Sequence, residues 1–211
     1  AVEHLLDGDG AVAGARLTDG RAIAAATTVL CAGAWSTGLA AGVDVELAVR
    51  PTAVKLAVLA RAVRTHLTVI DAENGIYLRP DGLAGTLVGR RTWTDEPLAA
   101  PGAELPVVDE AFVADTRARL ARRLPSAAGA GLLATRAGML DMTPDGLPLV
   151  GPSERPGLWL CCGWSGTGFK TGPSTGAALA AWLAGGRPPP QLASLHPARM
   201  PTAMAVARSP H

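Results

Sequence analysis

The residues best suited to chemistry lie between a short apolar run, residues 158–162, and an alanine-rich stretch near the C-terminus. Glycines recur between the two, at Gly163, Gly166, Gly168 and Gly172. Glycines let backbone N–H groups approach a flat ligand closely, and the N-terminus of a following helix suits an anion. Lys170 adds a full positive charge at the same place. The segment therefore predicts a site for a flat, partly anionic ligand. The open alternative is a tight strand–helix turn with a solvated lysine.

Two earlier segments combine a strand with a turn. Thr143-Pro-Asp-Gly146 is a turn in which proline fixes φ, Asp145 bonds its local backbone and glycine takes a positive φ, so turn chemistry is the favoured role of Asp145. Residues 27–31 form a short apolar strand that runs into Ala32, Gly33, Ala34 and Trp35, with Ser36 as a helix cap. Alone, this second segment indicates only a strand–turn–helix joint.

The apolar pattern places these segments on strands and helices. Strands are predicted at residues 12–17, 27–31, 76–79, 86–90, 132–139 and 158–162. Residues 45–60 predict two strands or one long bent strand, and helices are predicted at residues 109–124 and 175–183. Residues 187–211 contain Pro188-Pro189-Pro190 and little apolar periodicity, which predicts a mobile tail.

The composition is that of a globular protein with a sizeable core. The chain has 211 residues, 48% of them hydrophobic, and a net charge of +1, with a mean hydropathy of +0.24. This charge balance gives no case for nucleic acid or an acidic membrane as a partner. No apolar run is long enough for a membrane span, and the N-terminus lacks the pattern of a signal peptide. Three cysteines without metal-ligand spacing favour a reduced compartment, so the expected location is cytoplasmic.

Taken in order, residues 33–36, 143–151 and 163–176 resemble the DAO family of FAD-dependent flavoproteins, which includes sarcosine oxidases, glycine oxidase and D-amino acid oxidase. The family closes part of its nucleotide domain with a strand and a Gly-Ala-Trp turn. It later has a Thr-Pro-Asp stretch and ends on a glycine-rich loop with Gly-Phe-Lys. The resemblance covers roughly residues 10–187 and is closest to the sarcosine oxidases.

The resemblance implies an α+β fold, in which a mixed-sheet substrate domain is interleaved with the C-terminal part of a Rossmann-like FAD-binding domain. The expected parts are residues 1–44 and 138–187 for the FAD-binding domain, 45–137 for the substrate domain, and 188–211 for the tail. It also implies oxidation of an amine or amino acid by hydride transfer from the carbon next to nitrogen to flavin N5. Lys170 would be catalytic by holding a substrate carboxylate. The residues expected to bind FAD are Ala32, Gly33, Trp35, Gly138, Met139, Gly163, Gly166, Thr167, Gly168, Phe169 and Lys170.

Three departures from the family pattern limit this expectation. The sequence has no Gly-x-Gly-x-x-Gly segment, which in the family cradles the FAD pyrophosphate. Gly138 stands where a flavin-linking cysteine occurs in monomeric sarcosine oxidase, so FAD is expected to be non-covalent. Leu140 falls near the position of the arginine that binds the substrate carboxylate in glycine oxidase. The alternatives are a truncated or split-chain fragment that is inactive alone and recruits a chain supplying the missing unit, or a binding module without redox chemistry.

Overall fold

A computed structural model describes residues 1–60, 67–91 and 96–200. The chain forms two compact units, one of residues 1–51 with 140–211 and one of residues 52–139. The domain extents expected from the sequence, with boundaries after residues 44, 137 and 187, stay a prediction.

The elements are numbered in chain order. The strands are β1 (Val2–Gly8), β2 (Ala11–Leu17), β3 (Ala22–Ala24), β4 (Thr28–Leu30), β5 (Arg50–Ala60), β6 (Val69–Asp71), β7 (Ile76–Asp81), β8 (Gly85–Arg90), β9 (Glu96–Pro97), β10 (Leu132–Met142), β11 (Leu149–Pro152) and β12 (Leu158–Cys162). The α-helices are α1 (Ser36–Ala41), α2 (Glu110–Arg123) and α3 (Gly168–Leu183).

The first unit contains two three-stranded sheets within the described residues. In one, β2 lies between β1 and β3 and pairs antiparallel with both. In the other, β12 lies between β11, to which it is antiparallel, and β4, to which it is parallel, with Leu30 beside Leu160. Because β4 and β12 run in the same direction, the loops that follow them leave from the same edge of the sheet. The topology thus brings residues 31–36 and 163–167 together.

Successive side chains of β12 alternate between two buried clusters, as expected of a central strand. Leu158, Leu160 and Cys162 are buried in one apolar cluster together with Leu30 of β4 and Leu149 of β11. The intervening residues, Trp159 and Cys161, face a second cluster on the other side. Both faces are therefore covered, which is the typical environment of a short, continuously apolar strand.

Part of residues 187–211, which were predicted to form a mobile tail, packs against the second cluster, so the prediction is wrong for that part. Short 3₁₀ turns occur at Pro190–Leu195 and Pro197–Arg199. Leu192 is buried there with Val150 of β11 and Leu179 of α3. A single leucine that docks on a preformed apolar surface leaves no periodic pattern, so the sequence carried no signal of it.

In the part of the second unit that the structure describes, one sheet is covered by the helix α2. The strand order is β10-β5-β8-β7-β6, with β9 beside β5, and the pairings of β5 with β8, β6 with β7 and β7 with β8 are antiparallel. Phe112, Val113 and Leu120 of α2 are buried against this sheet. Asp109 caps α2 by accepting a hydrogen bond from the Phe112 N–H at 2.7 Å, as expected of an aspartate at that position.

Most predicted elements are confirmed, and the differences are confined to short strands and helix starts. The hairpin of β7 and β8, the strand β12 and the helix α2 occupy the predicted segments. The stretch 45–60 contains the single strand β5, one of the two predicted alternatives. The strands β1, β6, β9 and β11 were not predicted, Trp35 rather than Ser36 is the N-cap of α1, and α3 begins at Gly168, seven residues before the apolar stretch 175–183. Within the described residues, no helix is both long and apolar enough to cross a membrane.

Candidate functional site

Two glycine turns form the candidate site of the first unit. Gly33 follows β4 with a φ of +54°, and Gly163 follows β12 with a φ of +72°. Positive φ favours glycine at both positions. Ala32 and Gly33 are half-buried and the Trp35 side chain is exposed. Because β4 and β12 pair in parallel, these two turns lie at the same edge of the sheet.

Asp141, at the end of β10, ties the second turn in place. Its Oδ2 accepts a hydrogen bond from the Gly163 N–H at 2.8 Å, and its carbonyl oxygen accepts one from the Ser165 N–H at 3.0 Å. A Cβ atom on Gly33 would lie 3.8 Å from the same Oδ2. One carboxylate thus lies beside both glycine turns. Local sequence gives no sign of this role, because an isolated aspartate before a turn has no distinctive pattern.

A buried pair of hydroxyl groups fixes the residue that follows. Ser165 has a φ of +50°, uncommon for a residue other than glycine, and is only 1% exposed. Its Oγ accepts a hydrogen bond from the Thr143 N–H at 3.1 Å and lies 3.0 Å from Thr143 Oγ1. Backbone strain of this kind persists where the surroundings enforce it, and it is frequent at ligand sites. The Thr-Pro-Asp-Gly turn therefore supports the glycine loop, a role that local sequence did not reveal.

Asp145 has the turn role that was predicted, together with a distant partner. Its Oδ1 accepts a hydrogen bond from the Leu147 N–H at 3.0 Å. Arg199 donates from Nε to Asp145 Oδ2 at 2.8 Å, and this hydrogen bonding lowers the pKa of the Asp145 carboxyl. The Arg199 contact spans 54 positions in the sequence and was not predictable locally.

Helix α3 begins earlier than predicted, which places Lys170 on its first turn. The glycine spacing predicted a loop over residues 163–169 and a helix beginning near residues 171–174, just before the apolar stretch 175–183, but Thr167 is the N-cap and Gly168 the first helical residue. Pro173 lies inside the helix, where it removes one hydrogen bond close to the N-terminus. Phe169 and Lys170 consequently lie on the first turn and are exposed. Lys170 Nζ donates to the Gly166 carbonyl at 3.2 Å.

The amide of Thr167 is engaged within the loop. Its N–H donates to the Trp164 carbonyl at 2.9 Å, and its hydroxyl donates to the same oxygen at 2.6 Å. At the start of α3, by contrast, the amides of Gly168 and Phe169 precede any possible intrahelical acceptor. The exposed edge of the loop therefore presents N–H groups and two exposed aromatic rings, Trp35 and Phe169.

A largely apolar cleft of about 660 Å³ lies along β4. Ala32 and Trp35, both predicted to line the nucleotide end of the ligand site, line this cleft with Leu5, Val29 and Cys31. Within the described residues β4 is an edge strand, so the cleft borders unpaired backbone groups.

Two of the predicted FAD-binding residues belong to the other unit. Gly138 and Met139 lie on β10, within residues 52–139. Both are half-buried. Their part in the cofactor site stays a prediction.

Comparison with known proteins identifies the class. The family model described as DAO, FAD dependent oxidoreductase, matches residues 1–182, and the chain belongs to this family. It is 30% identical over 164 residues to glycine oxidase from Geobacillus kaustophilus, covering 77% of this chain and 42% of that protein. It is also 30% identical over 184 residues to glycine oxidase from Pseudomonas putida, covering 85% of this chain and 47% of that protein. The chain thus spans less than half the length of these curated relatives.

Solved structures agree with this class. The crystal structure of glycine oxidase from Geobacillus kaustophilus superposes with a TM-score of 0.76 at 27% identity, covering 95% of this chain and 52% of that one. L-proline dehydrogenase from P. horikoshii superposes with a TM-score of 0.80 at 20% identity, covering 94% and 53%. The predicted resemblance, the mixed fold with several sheets and the family's FAD dependence are confirmed.

Proposed function

We propose that this chain contributes the flavin-facing part of an FAD-dependent amine or amino-acid oxidoreductase. The observation that carries the proposal is the meeting of two glycine turns, at Gly33 and Gly163, at the carboxyl ends of adjacent parallel strands. In open α/β sheets, ligands bind in the crevice outside the carboxyl ends of strands.

The residues at this edge fit a flat group with an anionic rim. Gly33 presents no side chain, and the exposed rings of Trp35 and Phe169 offer flat apolar surfaces. The amides of Gly168 and Phe169 and the dipole of α3 would stabilise negative charge on the ligand. FAD, when bound, supplies a hydride acceptor for the carbon next to the amine nitrogen of the substrate. Asp141 would hold the Gly163 turn in place through the hydrogen bond that it accepts from the Gly163 N–H.

The second candidate function is a subunit or fragment that is inactive alone, or a binding module. The cleft along β4 favours it, because an apolar surface beside an unpaired strand edge is suited to another chain segment. The occupant would be a βαβ unit that carries the missing phosphate-binding glycines.

Visible absorbance separates these functions. Purified protein that contains flavin, and whose flavin absorbance bleaches anaerobically on addition of a small amine or amino acid, supports the oxidoreductase. Protein that gains flavin only when a βαβ unit is supplied supports the subunit. Protein that holds flavin in neither setting favours a binding module.

Replacing Lys170 by methionine is expected to weaken the binding of a carboxylate substrate more than that of flavin. Lys170 is exposed at the start of α3, where its Nζ donates a hydrogen bond to the Gly166 carbonyl. Losing one charge-assisted contact of about 1.5–3 kcal/mol would raise KM about 10- to 100-fold. The measurement is steady-state kinetics with a flavin-containing form of the protein, with Lys170→Arg as the charge-retaining control. An unchanged KM for an amino acid would contradict the assignment.

Any bound flavin is expected to leave the chain on denaturation. Gly138, on β10, offers no thiol at the position where a covalent link is known in the family. Acid precipitation followed by absorbance of the supernatant measures the released flavin. Flavin that remains with the precipitated chain would show that another residue forms a covalent bond.

A further inference from the structure

The parallel pairing of β4 and β12 brings two thiols together. Leu30 lies beside Leu160 in the register, so Cys31 and Cys161 follow as the next pair. Neighbouring strands are about 4.8 Å apart, which lies within the Cα separation that a disulfide spans. The two side chains also share a face, because Val29 and Trp159, two residues earlier on each strand, both lie on the Cys161 side of the sheet. Each of the two thiol groups shifts the pKa of the other.

We propose that Cys31 and Cys161 form a redox-active dithiol, a modification site that closes to a disulfide by exchange with a small-molecule disulfide such as oxidised glutathione. While the cleft along β4 is open, Cys31 is exposed and lines it, so it is the sulfur that a soluble reagent reaches first. Cys161 is half-buried directly beside it and is the resolving thiol.

The chemistry needs no further reagent. The Cys31 thiolate attacks one sulfur of the glutathione disulfide, the S–S bond breaks, and one glutathione leaves as a thiolate. Cys161 then loses its proton to solvent and attacks the Cys31 sulfur, which releases the second glutathione. Two protein thiols are oxidised, and one glutathione disulfide is reduced to two thiols.

The pKa shifts of the two thiols favour the same order of attack. The hydrogen bond from Cys161 lowers the pKa of Cys31 to about 7, against an opposing effect of burial. The same hydrogen bond, with burial, raises the pKa of Cys161. Thiolates rather than thiols are nucleophilic, so Cys31 reacts while Cys161 stays protonated until the mixed disulfide forms.

Cys162 is a matched control within the same strand. It is adjacent to Cys161 but faces the opposite side of the sheet, in the cluster with Leu160 and Leu30. It is fully buried, and burial raises its pKa to about 12. Accessibility and orientation thus exclude it from the exchange while its position in the sequence is nearly the same.

The test is to incubate the native chain with oxidised glutathione, quench in acid, alkylate under denaturing conditions, and map the thiols by mass spectrometry. The wild type should go from three free thiols to one, with Cys31 linked to Cys161. The Cys162→Ala variant should retain no free thiol. The Cys161→Ser variant should hold one glutathione on Cys31. Cys31→Ser should keep both remaining thiols free. The first step should be about tenfold faster at pH 8 than at pH 6, following the thiolate fraction of a group with a pKa of about 7.

Three outcomes would overturn the proposal. In the wild type, glutathione could remain on Cys31 without transfer, all three thiols could stay free, or Cys162 could enter the bond. Denatured chain exposed to the same reagent provides the reference, because there the pairing should lose its preference for Cys31 with Cys161.

Discussion

The 211-residue chain by itself is expected to bind FAD at least about a hundredfold more weakly than the same residues combined with a βαβ nucleotide-binding unit. The sequence contains no Gly-x-Gly-x-x-Gly turn for the pyrophosphate, and the glycine loop of residues 163–167 would reach only the flavin end. Losing two charge-assisted hydrogen bonds of about 1.5–3 kcal/mol each corresponds to about two to four decades in Kd.

Fluorescence titration of FAD into the purified chain, alongside thermal melting, measures this expectation. The same titration is repeated with a βαβ unit supplied as a fusion or as a second chain. Ligand linkage requires the melting temperature to climb with FAD concentration wherever binding is tight. A steep climb for the chain alone would show that the residues present suffice.

Gly163→Ala is expected to be the most damaging small substitution in the candidate site. Its φ of +72° strains any L side chain, and the new methyl carbon would lie 2.6 Å from Thr143 Cγ2 and 3.1 Å from Val49 Cγ2. Left-handed strain of about 1–2 kcal/mol and overpacking of about 1–3 kcal/mol together predict a loss of about 2–5 kcal/mol in the free energy of unfolding. The displaced loop should also lose its hydrogen bond to Asp141.

Gly146→Ala provides the matched control for this substitution. Gly146 has nearly the same φ, +73°, but an added Cβ atom would meet nothing within 4 Å. It should therefore show only the backbone strain, about 1–2 kcal/mol, when both variants are unfolded in urea. Equal losses for the two variants would mean that packing against Thr143 and Val49 does not limit position 163.

The sequence by itself determined the family, the principal strands and the three segments that carry its motifs. Three short motifs in a fixed order were specific enough to name the DAO class, since each glycine, proline or aspartate in them has a local backbone reason. The strand β12, the hairpin of β7 and β8 and the helix α2 could be predicted because their apolar spacing follows the period of the element.

Only the tertiary structure decided how those segments support one another. Asp141, Thr143 and Ser165 form the hydrogen bonds that hold the glycine loop, and the 22 positions between Thr143 and Ser165 carry no periodic signal of that contact. Likewise, Cys31 and Cys161 are 130 positions apart in the printed sequence, yet they become neighbours because β4 and β12 pair in parallel. The physical reason is the same in both cases: local sequence sets backbone preferences and burial periodicity, whereas contacts between distant side chains depend on which strands pair and in which register.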